Sequence, residues 1–205
     1  APDSILARKH RPWAIWSADV STAQAKKLWE APKTLAGSTP NTHGGTNLHW
    51  AAKGKIVFMS YMDGWPHMYS MPEAGGEPML LTPGNFMAEH VSISSDRATL
   101  LFSGNTGPDP LDLDRRHAVQ VSVDKADMKV LTPGSGLEWT PVMTGDGKSI
   151  AMISATPQRP PLPAILTANG GKIKLLAEDR IPSGFPTKSL VTPTQAVFTS
   201  EDGFT

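Results

Sequence analysis

The chain has 205 residues, with 39% hydrophobic and 19% charged residues and a net charge of zero from 19 basic and 19 acidic side chains. These are values of a folded domain, and the even charge balance offers no basic surface to nucleic acid. Because cysteine is absent and no apolar run approaches the roughly 18 residues of a membrane span, we expect no disulfide, no membrane segment and no metal or other cofactor.

The N-terminal segment begins with a charged patch at residues 8–11, interpreted as a solvated loop. Strand pattern starts at Trp13, and residues 13–32 match only the second half of a unit that recurs later. Trp13, Trp16 and Trp29 are predicted to pack in the core between neighbouring sheets. The Gly-, Thr- and Pro-rich stretch 34–47 predicts a connecting loop. Neither His43 in that loop nor His49 after it has a spacing that suggests metal ligation.

The segment Leu48–Gly84 predicts four short strands, at residues 48–50, 55–60, 67–71 and 78–81. The run 55–60 is almost continuously apolar, which is typical of a strand covered on both faces. Gly-containing turns at residues 53–54, 62–64 and 73–77 separate the strands.

The same plan recurs in His90–Gly134 and in Glu138–Asp179, although the turn Ser95-Asp96-Arg97 lacks the usual glycine. The closing leucines Leu81, Leu131 and Leu176 are 50 and 45 positions apart. Periods of about 40–50 residues with four short strands each are typical of β-propeller blades. We therefore predict an all-β fold, a partial β-propeller of about three and a half to four four-stranded antiparallel blades.

The peptide Asp63-Gly64-Trp65-Pro66-His67-Met68-Tyr69 is the most distinctive in the chain. One interpretation is structural, with a tight turn, a proline at the start of a strand and two aromatic side chains packed on neighbours. The other is direct contact with a ligand. We favour the structural interpretation for Asp63, Gly64, Trp65, His67 and Tyr69.

The segment 109–117 places Asp109, Asp112 and Asp114 beside Arg115 and Arg116, just before a strand. Three interpretations remain open. The charges form an ion-pair network that fixes a long loop, an arginine enters the central funnel to bind a carboxylate or carbonyl of a peptide, or the loop holds calcium. The aspartate spacing is not that of an EF-hand, so the calcium interpretation is the least favoured of the three.

The proline-rich stretch Gln158–Pro163 is open to two interpretations, a polyproline II ligand for a partner or a loop of the last blade, and we favour the loop. After residue 179 the blade pattern stops. Residues 182–186 are interpreted as a linker, and residues 190–204 as a new strand pair around an Asp-Gly turn. We assign residues 1–180 to the blades and 181–205 to the linker and first strand pair of a further domain.

No G-x-S-x-G, H-E-x-x-H, P-loop or G-x-G-x-x-G pattern occurs, so the sequence offers no catalytic residue. The blade repeats, DGWPHMY, the DLDRRH segment and the closing LVTP…EDG together resemble the prolyl oligopeptidase family of serine peptidases, in particular its bacterial dipeptidyl aminopeptidase-like members. The resemblance runs from about Trp13 to the end. It implies that the chain is the C-terminal half of an N-terminal propeller, and that residues 181–205 begin an α/β-hydrolase domain.

The resemblance implies a non-catalytic propeller portion that admits short peptides to the hydrolase domain and orients them. Arg115, Arg116 and Asp114 are then candidates for peptide contact or for the domain interface. The alternative is a stand-alone TolB- or WD-like propeller that scaffolds protein partners, and a third possibility is a carbohydrate-active propeller. We also expect the fragment to self-associate through its open sheet edges, and we favour a periplasmic or secreted location over the cytoplasm.

Overall fold

The computed structural model describes residues 9–108 and 113–204, and these residues form an all-β fold. The one helical segment within those ranges is a single 3₁₀ turn at Glu178–Arg180. The strands are β1 (Ala14–Ala18), β2 (Ala25–Glu30), β3 (His49–Ala51), β4 (Lys55–Ser60), β5 (His67–Pro72), β6 (Met79–Leu80), β7 (Ala88–Ile93), β8 (Thr99–Gly104), β9 (His117–Ser122), β10 (Lys129–Val130), β11 (Leu137–Met143), β12 (Ser149–Thr156), β13 (Arg159–Thr167) and β14 (Lys174–Leu175).

The strands form one two-stranded and three four-stranded antiparallel sheets, each a simple meander. We call β3–β6 blade A, β7–β10 blade B, β11–β14 blade C, and β1–β2 the half blade. The prediction of three full blades and one half blade is confirmed. The half blade corresponds to the two outer strands of a full blade. This agrees with the prediction from sequence, in which residues 13–32 match only the second half of the repeat.

The turn between the first and second strands uses the same side-chain device in blades B and C. In blade B, Asp96 Oδ1 accepts hydrogen bonds from Ser94 Oγ at 2.5 Å and from the Ala98 N–H at 3.0 Å. Asp146 does the same in blade C, with Thr144 Oγ1 and the Lys148 N–H. Arg97 takes the left-handed conformation, φ 57°, that a glycine usually supplies in such a turn. The missing glycine therefore does not change the blade.

The Leu-Thr-Pro-Gly repeat closes blades A and B through its threonine. The buried Thr82 Oγ1 accepts the Met68 N–H at 3.0 Å, and the buried Thr132 Oγ1 accepts the Ala118 N–H at 2.9 Å. Each hydroxyl thereby satisfies a buried amide of the third strand that the short outer strand does not reach. In blade C this position is Ala177, and the chain leaves the blade there.

Three apolar clusters lie between neighbouring sheets and hold the blades face to face. One joins blades A and B around Phe102 and Val57, a second joins B and C around Leu101 and Ile150, and a third joins the half blade to blade A. In the third, Trp13 and Trp29 pack edge-on at 5.0 Å and both lie against Phe58.

Two details differ from the sequence-based expectation. Trp16 is 59% exposed because it points to the face of the half blade away from blade A, where the described residues place no neighbouring sheet. The stretch 158–163 is not a loop, since a tight hairpin at Thr156 leads directly into β13 at Arg159. Pro160 and Pro161 lie where β13 pairs with β12 alone, so their missing N–H groups cost the sheet little.

A residue with positive φ occurs in the innermost strands of blades B and C and in the loop directly before the innermost strand of blade A. These residues are Asn47 (φ 44°), His90 (φ 50°) and Thr140 (φ 53°). In β7 and β11 the residue lies in a bulge, where the pairing register shifts. Bulges re-aim the side chains they carry, and His90 is one of the side chains so placed.

Candidate functional site

The candidate residues from the sequence lie at one end of the blades. In each blade the second and third strands are antiparallel neighbours, so the connection between them lies at one end of the blade. The connections β4–β5, β8–β9 and β12–β13 mark this end of the three blades. Strand β14 runs back toward Arg159, so the chain also leaves blade C at this end. We call it the exit face.

The C-terminal segment lies against the exit face. Gln158 Nε2, in the β12–β13 hairpin, donates to Thr192 Oγ1 at 3.3 Å. Leu113, in the β8–β9 connection, lines an apolar cavity of about 440 Å³ together with Val197, Phe198 and Phe204.

Within the DGWPHMY peptide, Asp63 binds the buried His67, with 2.6 Å between Asp63 Oδ2 and His67 Nδ1. Burial raises the pKa of the Tyr69 hydroxyl well above its usual value, and the charge of Asp63 adds to this effect. Asp63 thus fixes the buried ring of His67 and places a negative charge near the Tyr69 hydroxyl.

The remaining contacts of this peptide tie blade A to blade B. Pro66 O accepts the Ala88 N–H at 2.9 Å, and the His67 ring lies 5.0 Å from the ring of Phe86. Trp65 is half-buried, and Gly64 (φ 101°) closes the turn by donating its N–H to Tyr61 O. These contacts are structural ones; ligand contact by this peptide stays untested.

Arg116 forms an ion pair with Glu89 of β7, with 2.8 Å between Arg116 Nε and Glu89 Oε2. The guanidinium also donates to Asp114 O at 3.4 Å. Arg116 is 33% and Glu89 15% exposed, so the pair is partly shielded from water but open on one side. Arg115 is half-buried and Asp114 is exposed. Asp109 and Asp112 lie outside the described residues, so the larger ion-pair network and the calcium interpretation stay predictions.

A second network joins blades B and C behind this pair. The carboxylate of Glu138, which is 3% exposed, accepts from Ser154 Oγ at 3.1 Å, and its other oxygen lies 3.9 Å from His117 Nδ1. Arg159 in turn donates to Ser154 O and Oγ, each at 3.0 Å. The Glu138 N–H donates to Arg116 O, so the backbone of the candidate arginine is fixed by blade C.

Sequence reasoning missed a pair of stacked histidines on the same face. The rings of His43, from the loop before β3, and His90, from the β7 bulge, have centroids 4.0 Å apart and an interplanar angle of 22°. Burial lowers the pKa of His90; His43 and Arg116 lower it further, and Glu89 opposes them. No local pattern connects two histidines 47 positions apart, so only the fold brings them together.

Among residues 9–108 and 113–204, no three His, Cys, Asp or Glu side chains gather closely enough to form a metal-binding group. No helix in these ranges is long and apolar enough to cross a membrane.

Comparison with known proteins agrees with the blade architecture. A family model described as the dipeptidyl peptidase IV N-terminal region matches residues 6–161. Among solved structures, puromycin hydrolase superposes with a TM-score of 0.64 at 13% identity, over 88% of this chain and 26% of its own length. Dipeptidyl peptidase 4 of Porphyromonas gingivalis gives 0.63 at 14% identity, over 88% and 24%. TolB of Acinetobacter baumannii gives 0.52 at 18% identity, over 80% and 37%.

These structural likenesses concern the fold, because all three identities are low. The chain spans about a quarter of each of the two hydrolases and 37% of TolB.

Proposed function

The chain belongs to the dipeptidyl peptidase IV N-terminal region family, and we propose that it is the propeller portion of a serine exo- or oligopeptidase whose hydrolase domain continues from residues 181–205. The propeller itself is non-catalytic. It gates short peptides and orients them over the hydrolase domain, excluding large folded proteins.

The observation that carries this proposal is the coincidence of three features on the exit face. The chain leaves blade C there, the C-terminal segment rests against it, and the partly open Arg116–Glu89 pair lies on it. A domain that follows residue 204 would start at this face, next to the polar groups proposed to orient a peptide.

The C-terminal segment has the character of a strand pair that lacks its partners. Ser200 Oγ donates to Asp202 Oδ1 at 2.5 Å and the Gly203 N–H donates to Ser200 O, as in the strand-joining turns of blades B and C. No strand is formed in residues 181–204, and Val191, Phe198 and Phe204 are all more than 75% exposed. The turn and the uncovered apolar side chains support the assignment of this segment to a domain outside the blades.

On the exit face, Arg116 is a candidate for binding a carbonyl or carboxylate group of a peptide substrate. Its Nε is taken by Glu89, which fixes the plane of the guanidinium, and a planar guanidinium presents its donors in a fixed fork. Arg115 and Asp114 flank it at the end of the β8–β9 connection. An orienting role of this kind changes turnover without touching the catalytic residues.

The test uses the longer protein that contains the hydrolase domain, with short peptides as substrates. Arg115→Ala combined with Arg116→Ala is expected to lower kcat/KM at least about tenfold, which is about 1.4 kcal/mol of lost transition-state binding. Lys125→Ala is the matched control, because Lys125 is an exposed cation at the opposite end of blade B. Arg116→Lys separates loss of charge from loss of the fork. If the double alanine variant folds normally and turns peptides over like the wild type, the arginines do not orient substrate.

The alternative is a stand-alone TolB-like scaffold for protein partners, favoured by the TolB likeness at a TM-score of 0.52. It predicts a natural polypeptide close to 21.9 kDa and a purified protein without peptidase activity. Detection of peptidase activity that co-purifies with this chain as one polypeptide would exclude it.

We also propose that the isolated 205-residue chain self-associates through the two ends of its blade row. The far face of blade C exposes Val142, which is 53% exposed, next to Ala151 and the half-buried Ile165; the far face of the half blade exposes Trp16. Both are blade faces of the kind that elsewhere form the apolar clusters, so the far face of blade C in one copy would pack on the half blade of a second copy. The proposed contact is therefore through blade faces rather than through open sheet edges.

Light scattering over a wide concentration range tests this self-association. The wild-type chain is expected to form dimers or larger species, and Val142→Lys is expected to weaken them. Val20→Lys is the control, since Val20 is fully exposed in the β1–β2 turn. A chain that stays monomeric at all concentrations would contradict the proposal.

A further inference from the structure

A polar cavity of about 460 Å³ lies between blades B and C, at the end of the blades opposite the exit face. Its walls are the β7–β8, β11–β12 and β13–β14 turns and strand β9. Two hydrogen bonds between the blades border it, from Ser95 Oγ to Gly145 O at 3.1 Å and from Lys129 Nζ to Asn169 O at 2.7 Å. A cavity of this volume is large enough for a small molecule.

The charged residues among the described residues that line this cavity are two aspartates, Asp96 from blade B and Asp146 from blade C. Hydrogen bonds from Ser94 and Thr144, respectively, lower the pKa of these two carboxyl groups, so both are ionised at neutral pH. Oδ1 of each carboxylate holds its own turn, which leaves Oδ2 to accept from a ligand. The cavity therefore combines negative charge with hydrogen-bond acceptors.

The equivalent cleft between blades A and B is bridged by an ammonium group of the chain itself. Lys53 Nζ lies 2.8 Å from Asp124 Oδ2 and so joins the β3–β4 turn of blade A to the β9–β10 turn of blade B. In blade C the position of Asp124 is taken by Asn169, since each lies two residues after the residue that pairs with the start of the second strand. Arg97 has the turn position and positive φ of Lys53, but it does not line the cavity. The ion pair of the first cleft is thus replaced by a cavity in the second.

We propose that the cavity between blades B and C binds an aliphatic amine, whose ammonium group joins the two blades as Lys53 joins blades A and B. An ammonium group has three donors, and the two carboxylates and the amide oxygen of the half-buried Gln120 offer acceptors. Met143 gives the methylene chain an apolar wall. Because each blade contributes one carboxylate, a linear diamine can pair with both Asp96 and Asp146.

The affinity is expected to be modest and sensitive to salt. Asp96 and Asp146 are exposed, and exposed ion pairs each contribute little, so we expect dissociation constants in the millimolar range. A lysine side chain of a partner protein carries the same ammonium group, so the experiment has to separate this source from a free amine. This inference does not depend on the proposed peptidase function.

The experiment titrates the 205-residue chain with putrescine, followed by amide NMR chemical shifts. Saturable shifts are expected in the three turns that line the cavity. The matched control ligand is 1,4-butanediol, which has the same carbon chain without charge and is expected to give no saturable shifts there. Salt at about 1 M, where the Debye length is about 3 Å, is expected to weaken putrescine binding at least about threefold.

Asp96→Asn and Asp146→Asn keep an oxygen for the turn and remove the charge. Each is expected to weaken putrescine binding about threefold, and the double variant about tenfold, as loss of exposed ion pairs predicts. Asp202→Asn is the matched control, because Asp202 makes the same turn contact with Ser200 Oγ outside the cavity.

N-acetyl-lysine methylamide tests the other source of an ammonium group. If it binds as tightly as putrescine, the site belongs to a lysine side chain of a partner rather than to a free amine. The proposal is overturned if putrescine gives no saturable shifts in these turns, or if the double variant binds it like the wild type.

Discussion

Replacing Thr82 by valine tests whether the Leu-Thr-Pro-Gly repeat closes a blade through its hydroxyl. Valine fills nearly the same volume as threonine, so no cavity forms, but it cannot accept the Met68 N–H now bound at 3.0 Å. Thr82 is fully buried and so is Met68, so water cannot replace the lost acceptor. An unsatisfied buried donor costs about 1–3 kcal/mol of the free energy of unfolding. For a chain of this length, each kcal/mol lowers Tm by about 2–4 °C.

The same loss is expected for Thr132→Val, because Thr132 Oγ1 accepts the Ala118 N–H at 2.9 Å in the equivalent place of blade B. Thr156→Val is the control, since Thr156 Oγ1 accepts the N–H of the exposed Gln158 at 3.3 Å, where water can take over. Urea unfolding followed by tryptophan fluorescence measures all three variants. If Thr82→Val and Thr132→Val lose no more stability than Thr156→Val, the hydroxyls do not close the blades.

Two further predictions concern titration. Hydrogen bonds from Ser21 and Thr22 lower the pKa of Asp19 from 3.8 to about 2. The stabilising effect of the ionised Asp19 carboxylate is therefore complete above about pH 4 and is lost as the pH falls through about 2. Carboxyl NMR is expected to show a titration midpoint of Asp19 near 2 rather than near 4. Burial and the charge of His43 hold the pKa of His90 below its usual 6.5 in the folded chain, so its contribution to stability is present at neutral pH and falls as the solution is acidified. Imidazole NMR is expected to show a midpoint below 6.5 that rises in His43→Ala. An unchanged midpoint would contradict the charge effect of His43 on His90.

The blade architecture could be predicted from the sequence because its determinants are local. The apolar run at Lys55–Ser60 became β4 with the predicted bounds, and the incomplete N-terminal match became the two-stranded half blade. Turn chemistry and strand periodicity act within a few residues, so a single sequence reveals them.

Two expectations failed because they depended on neighbours outside the local sequence. Trp16 was predicted to be core, yet the described residues place no sheet on its side of the half blade. The prolines at positions 160 and 161 indicated a loop, but β13 accepts them where it has only one neighbouring strand.

The candidate site was only partly predictable, since its contacts join residues far apart in the chain. The DLDRRH segment made Arg116 a candidate site residue. Its ion-pair partner Glu89 is 27 positions away, and no local sequence pattern connects the two. The stack of His43 on His90 needed the bulge of β7 and the Asn47-fixed loop at once. Such pairings follow from the order of the blades, which local patterns do not contain.

The most direct test of the central proposal is the mass of the natural polypeptide, measured by immunoblot of source cells with an antibody against this chain. A propeller portion that continues into a hydrolase domain predicts a band several tens of kilodaltons heavier than the 21.9 kDa of this chain. A band at the mass of the chain itself would contradict the proposal that a peptidase domain follows residue 205.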